Sequence, residues 1–201
     1  MLQAENQVIE RNIEHLPSGN VLLMDLLEDS ALTEFSQMRP DINWFGYTPF
    51  FDTLEKFSNG QLLQKDKVFF SAWLNEDNIQ NSDLLPNKEN SRTPQNSAHV
   101  FDAVVIYFPK TKLRFDYYLS MISKLLKSDA TIYVIGEKKG GVKNCSKALS
   151  PYTIKANKLD SARHCMMFTA AFNQFRCKKE INDWYQVKNV NVEINSKSLP
   201  L

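Results

Sequence analysis

The feature that most constrains the fold is the run Phe101–Phe108. Its centre, Ala103-Val104-Val105-Ile106-Tyr107, is apolar at every position rather than at every second one. That is the pattern of a strand covered on both faces. Behind it, Phe115, Tyr118, Leu119, Ile122, Leu125 and Leu126 fall at offsets 0, 3, 4, 7, 10 and 11. They make one stripe and predict a helix over 112–127. A buried strand followed by an amphipathic helix is the repeating unit of a parallel sheet with helices on both faces.

The rest of the chain continues the alternation. Leu2, Val8, Ile9, Ile13 and Leu16 predict a helix over 2–16, stopped by Pro17-Ser18-Gly19. Val21–Leu26 reads as a buried strand, 29–38 as a helix ended by Pro40, and Ile42–Phe45 as a second strand. Thr48 is placed as an N-cap with Pro49 at the first helical position, the helix running to Ser58-Asn59-Gly60. Lys67–Leu74 is a third strand. Residues 75–98 are polar, with only Ile79, Leu84 and Leu85 to bury, and read as a loop or insertion. After the central strand and helix come a strand over Thr131–Ile135, a break at Gly140-Gly141 and a short helix, 142–149. Tyr152–Lys158 and Cys165–Phe172 follow as two strands with little between them, the sign of an antiparallel edge hairpin. Seven strands in a mostly parallel sheet ending in that hairpin resemble the Rossmann-like α/β topology of class I S-adenosylmethionine-dependent methyltransferases. Residues 1–187 are expected to form one domain, and 188–201 a strand or linker leaving it.

Composition narrows the function classes. A hydrophobic fraction of 43% and a charged fraction of 23% exclude a disordered, collagenous or coiled-coil chain. No apolar run approaches the roughly 18 residues of a membrane span, and the polar N-terminus lacks the pattern of a secretion signal. Cys145, Cys165 and Cys177 form no Cys-x-x-Cys pair, and His15, His99 and His164 are scattered. Free thiols, a cytoplasmic location and no metal site are therefore expected. Residues 1–100 carry 7 Lys+Arg against 15 Asp+Glu, whereas residues 101–201 carry 17 against 8. The second half, at +9, can present a positive field to a polyanion, nucleic acid first. The alternative is that the halves neutralise each other across one globule.

A nucleotide-type cofactor in this topology needs a glycine-rich turn after the first strand, so that backbone can approach the ligand. Here Leu27-Glu28-Asp29-Ser30-Ala31 occupies that turn, and no glycine occurs from Asn20 to Phe45. Glu28 and Asp29 read as acids starting a helix. At the end of the fourth strand, where amino-group methyltransferases often carry Asn-Pro-Pro-Tyr/Phe, the chain reads Ile106-Tyr107-Phe108-Pro109-Lys110. The Asn that would accept an exocyclic amine is missing. Tyr107 and Phe108 are either a stacking surface or, as strand-end aromatics usually are, core. Gly136-Glu137-Lys138-Lys139-Gly140-Gly141 is not a P-loop, having no Gly-Lys-Ser/Thr; it is a phosphate cradle or a turn with solvated lysines. His164 and Cys165, as neighbours in a strand, would face opposite sides, which argues against a nucleophile–base pair. No catalytic, cofactor-binding or metal-ligating residue is assigned. The cations near the expected functional rim, Lys110, Lys112, Arg114, Lys138, Lys139 and Lys143, are the candidate RNA contacts.

Three segments carry a closer resemblance: Tyr107-Phe108-Pro109-Lys110-Thr111-Lys112, Val134 to Val142, and Asn157-Lys158-Leu159-Asp160-Ser161-Ala162-Arg163-His164-Cys165. They look like the N-terminal domain of the ribosomal RNA small subunit methyltransferase C family. The resemblance is good from about Phe101 to Trp184 and weak before Lys67, and the 75–98 insertion departs from it. It implies a methyltransferase-like domain with a degenerate cofactor site. A separate C-terminal catalytic domain would hold S-adenosylmethionine and methylate a guanine at N2. Its implied partners are small-subunit ribosomal RNA, or the small subunit itself, and that catalytic domain, with no membrane. On this resemblance the chain is a fragment whose role is to recruit RNA and stabilise the catalytic half. Asp160 and Arg163 are expected to pair and hold the sheet edge. An independent methyltransferase with an unusual cofactor site, or a purely structural shielding domain, remain the alternatives.

Overall fold

The computed structural model describes residues 2–58, 67–80 and 99–176. Seven strands form one sheet: β1 (Gly19–Met24), β2 (Ile42–Thr48), β3 (Val68–Phe70), β4 (Phe101–Tyr107), β5 (Leu126–Glu137), β6 (Thr153–Asp160) and β7 (Cys165–Phe172). Their order is β3-β2-β1-β4-β5-β7-β6. Strands β1 to β5 pair in parallel, and β7 runs antiparallel to both β5 and β6. The expected edge hairpin is therefore present. The helices are α1 (Ala4–Arg11), α2 (Ala31–Met38), α3 (Phe51–Ser58), α4 (Glu76–Gln80), α5 (Lys112–Ile122) and α6 (Cys145–Leu149).

The continuous apolar strands are explained by two cores, one on each sheet face. Along β4, Val104 and Ile106 enter the core under α5, while Ala103, Val105 and Tyr107 enter the core shared with α1 and α2. A strand alternates its side chains between faces, so both faces must be apolar when both are covered. On α5, Phe115, Tyr118, Leu119 and Ile122 are all buried. Each is worth about 1.5–3 kcal/mol of burial. That packing holds a helix too short to be stable alone.

Several boundaries differ from expectation for local reasons. Helix α5 stops at Ile122, not 127, because Leu126 already pairs with Phe101 in the sheet. Leu125 and Leu126 stay buried, so the stripe reflects a common core rather than one unbroken helix. Thr48 belongs to β2; its hydroxyl accepts from the Phe50 amide at 3.1 Å, and α3 starts only at Phe51. Within the segment expected to be a loop, Glu76–Gln80 is helical. Asn75 and Asn78 cap it reciprocally, each side-chain oxygen accepting from the other's amide at 2.9–3.0 Å. Ile79 is buried in the core under α5. The remainder of the insertion, 81–98, and the expected strand or linker at 188–201 lie outside the described residues.

Candidate nucleic-acid interface

Strand order reverses between β1 and β4, which places the crevice of this fold at the C-terminal ends of β1, β2, β4 and β5. A cleft of about 380 Å³ opens there, lined by Glu5, Asp25, Phe108, Lys110 and Arg114 among others. The β1 side of this rim is filled by the chain's own side chains. Asp25 follows β1 with φ 71, a left-handed conformation unusual for a residue with a side chain. The turn tolerates it because the amides of Asp25 and Leu26 both donate to the Tyr47 carbonyl, at 2.9 and 3.0 Å. The Asp25 carboxylate then receives Arg114 Nη2 at 2.8 Å. Arg114 Nε donates to Tyr118 Oη at 2.5 Å, and its guanidinium lies 4.5 Å from the centre of the Phe50 ring. Burial pushes the Asp25 carboxyl above its ordinary range, against the opposing pull of Arg114 and a hydrogen bond from Tyr118. Burial likewise raises the Tyr118 hydroxyl, so it stays protonated as a donor to Asp25.

A second network closes the turn from below. Asn6 Nδ2 donates to both oxygens of Asp29 at 2.9 Å, and the Gln3 amide adds a bond of 2.7 Å. Asp29 also accepts from the Ala31 amide at 3.0 Å, which starts α2 as an acid in that position should. The Tyr107 hydroxyl donates to Asn6 Oδ1. Asn6 and Tyr107 are thus buried structural groups, and Tyr107 is core rather than a stacking platform. Phe108 is half-buried against Phe115, with ring centres 4.9 Å apart. The signal for this Asn6–Asp29–Tyr107 latch was present in the sequence: Asn6 lies in the apolar stripe between Leu2 and Ile9, where a polar side chain needs a partner.

These residues do not fit S-adenosylmethionine. The turn after β1 has no glycine, and Asp29 is engaged by α1. The end of β2 offers Thr48, Pro49 and Phe50, with no carboxylate for a ribose. Leu26 packs so closely on Gly46 that a Cβ there would lie 2.3 Å from Leu26 Cδ1.

The β4–β5 side of the rim is different. Lys110 precedes α5 and Lys112 opens it; Lys138 and Lys139 follow β5, and Lys143 lies in the next short 3-10 turn. All five are exposed, and among the described residues none forms an ion pair. The structure brings them to one edge because Tyr107 and Ile135 are paired neighbours at the strand ends. Arg114, the sixth expected contact, is committed to Asp25 and Tyr118. Gly141, with φ 89, lets the chain turn between two 3-10 segments. Helix α6 beyond it has only 5 residues. The turn leaves Lys138, Lys139 and Lys143 exposed.

The segment Asp160 to Cys165 closes the β6–β7 hairpin. The expected Asp160–Arg163 pair is not formed. Asp160 instead accepts from Asn12 Nδ2 at 2.7 Å and from the Ser161 amide at 2.6 Å, and lies 3.3 Å from Arg11 Nε. Its carboxyl is held below the ordinary range, chiefly by the Asn12 bond. The reason is topological: β6 is the sheet edge, and α1 packs beside β7 within reach of it. Arg163 and His164 both take left-handed φ, 50 and 63, and are exposed. The His164 carbonyl accepts from the Lys138 amide at 2.9 Å, which sets Arg163 beside the lysine rim. Sequence reasoning missed that placement. Cys165 is buried and His164 is not, so they form no nucleophile–base pair. Burial pushes the thiols of Cys145 and Cys165 up to about 11. Among the described residues no three His, Cys, Asp or Glu side chains are placed to hold a metal, and no helix is long and apolar enough to cross a membrane.

Strand order, edge hairpin and switch-point crevice define an α/β domain of the Rossmann-like methyltransferase class. The 16S rRNA N2 G1207 methyltransferase of T. thermophilus, solved with AdoMet and guanosine, shares the fold: the TM-score is 0.56 at 10% identity, over 85% of this chain and 39% of that one. Among curated proteins, the ribosomal RNA small subunit methyltransferase C of Pseudoalteromonas atlantica is 30% identical over 195 residues, 96% of this chain and 49% of that protein. The protein of the same name from Shewanella piezotolerans is 42% identical over 85 residues, 42% of this chain and 25% of that protein. The family described as methyltransferase small domain N-terminal matches residues 6–187, and the chain belongs to it. The chain spans about half the length of the Pseudoalteromonas relative.

Proposed function

We propose that this chain is the noncatalytic N-terminal half of a cytoplasmic small-subunit rRNA guanine-N2 methyltransferase. In this reading a C-terminal domain holds S-adenosylmethionine and carries out the transfer, and this half recruits ribosomal RNA and stabilises its catalytic neighbour. The observation that carries the reading is the contrast along one rim. The corner where the fold would hold a cofactor is occupied by Asp25, Arg114, Phe50 and Leu26, whereas the adjoining edge exposes five lysines without carboxylate partners. Names and coverage of the relatives support it. Lysines of this kind hold phosphates by releasing condensed counterions, so they position RNA without reading its bases. Lys110, Lys112, Lys138, Lys139 and Lys143 are the contacts, and Arg163 joins them from the hairpin; Arg114 and Asp160 act structurally.

Calorimetric titration of the chain with S-adenosylmethionine tests the noncatalytic assignment, alongside methyl transfer to small-subunit RNA. No measurable heat and no transfer are expected. Micromolar binding would overturn the assignment and favour an independent methyltransferase.

A further inference from the structure

Seven large apolar side chains are exposed among the described residues: Met38, Phe50, Phe51, Phe70, Leu113, Ile154 and Phe175. Scattered singly, such residues need no explanation. Four of them are not scattered. Phe50 and Phe51 follow β2, Phe70 ends β3, and Leu113 lies in the first turn of α5, so all four sit on the C-terminal rim. Their exposures are 47%, 57%, 46% and 65%. They share this rim with the basic edge. The Phe51 and Phe70 rings meet edge to face at 6.0 Å. Phe50 lies under Arg114, and Leu113 separates Arg114 from Lys112 along the helix. From β3 to β4 the rim crosses three strand spacings, about 14 Å.

We propose that Phe50, Phe51, Phe70 and Leu113 form a stacking surface for unpaired bases of an RNA strand whose phosphates lie on Lys110 and Lys112. This rests on the RNA-recruiting reading above and adds what that reading lacks, a preference for single-stranded over duplex RNA. The chemistry is that of single-strand binders: aromatic faces accept any base, and an adjacent cationic track holds the backbone. A duplex keeps its bases stacked internally and offers these rings nothing. Charge sets the direction. The carboxylate of Asp52 is exposed next to Phe51, whereas Lys110 and Lys112 are exposed on the α5 side, so the phosphates run over α5 and the bases over Phe51 and Phe70. Arg114 is spent on Asp25 and fixes the Phe50 ring rather than a phosphate.

Fluorescence anisotropy of the chain with a short mixed-sequence single strand, and with the duplex it forms with its complement, tests the proposal across a salt series. The wild type is expected to bind the single strand more tightly. The double substitution Phe51→Ala and Phe70→Ala should weaken single-strand binding by about fivefold or more. It should leave duplex affinity and the salt slope unchanged, because neither ring touches a phosphate. Phe51→Trp keeps an aromatic face and serves if the alanine variant misfolds. It should retain affinity, and its emission should fall on adding single strand by more than the wild type's does. Equal binding of both RNAs with no effect of the alanine variant overturns the stacking surface while the RNA-recruiting reading stands. No binding of either RNA at low salt overturns both. Self-association seen by sedimentation and removed by the alanine variant would make the patch a protein interface and overturn the proposal.

Discussion

The β1–β2 corner and the β4–β5 edge lie on one rim of one sheet, yet they are built in opposite ways. At the corner each polar group is met. Asp25 has Arg114, Asp29 has Asn6 and two backbone amides, and the Tyr107 hydroxyl has Asn6. At the edge the five lysines are exposed and form no ion pair among the described residues. Buried polar groups must be paired because an unpaired one costs the desolvation of its charge or dipole. Exposed lysines carry no such obligation, so leaving them unpaired costs little stability. The same rim thus combines an internally paired corner with an edge of exposed lysines.

The comparison breaks first if the corner is not structural. Asn6→Leu removes the partner shared by Asp29 and Tyr107 while keeping the volume near constant. It should destabilise the chain by about 3 kcal/mol, since a buried carboxylate and a buried hydroxyl each lose a bond. Urea unfolding measures this, and a loss under 1 kcal/mol would mean that the latch is incidental. Gly46→Ala should cost about 1–3 kcal/mol in the same assay, because the new methyl meets Leu26 in a filled space. A neutral outcome would show room at the corner that a ligand could use.

Two acid-range measurements sharpen the picture at smaller scale. Asp160, held below its ordinary range, gives stability that is complete above the unfolded carboxylate pKa and lost as pH falls through the lowered folded value. Asp160→Asn should therefore cost about 1 kcal/mol at neutral pH and nothing in strong acid. Asp25 has the opposite sign. Its carboxyl is raised by burial, so its contribution declines as pH climbs from the unfolded value through the raised one. Asp25→Asn should remove that decline. If both variants shift the acid limb in the same direction, the two environments have been misassigned.

The fold was largely legible from the sequence because both cores impose period and length on it. The all-apolar β4 and the α5 stripe are consequences of two-sided and one-sided burial, and each survives in the structure. Boundaries were less legible. Leu125 and Leu126 continue the α5 stripe into a strand because helix and strand face the same core. Glu76–Gln80 is short and polar, and one buried Ile79 with two capping asparagines is too little pattern to announce a helix. Of the site, the missing glycines after β1 and the missing Asn after β4 were readable as absences of chemistry. What filled the space was not. The pairings Asp25–Arg114, Asn6–Asp29 and Arg11–Asp160 join residues 89, 23 and 149 positions apart, and chain spacing carries no information on such partners. Asp160 and Arg163 looked like partners because they are three apart, a helical rule that fails in a hairpin turn.

The most direct test of the account is the salt dependence of RNA binding after charge reversal on the rim. In the triple variant Lys138→Glu, Lys139→Glu and Lys143→Glu, affinity should fall and the slope of log affinity against log salt should flatten by about two units, roughly 0.7 per lost phosphate contact on a single strand. Unfolding free energy should move by less than about 0.5 kcal/mol, as befits exposed side chains. A reversal at Lys124 and Lys155, exposed at the opposite end of the sheet, should change the slope far less per charge. Equal loss per charge from both variants, or none from either, would contradict the claim that the β4–β5 edge is where this domain holds RNA.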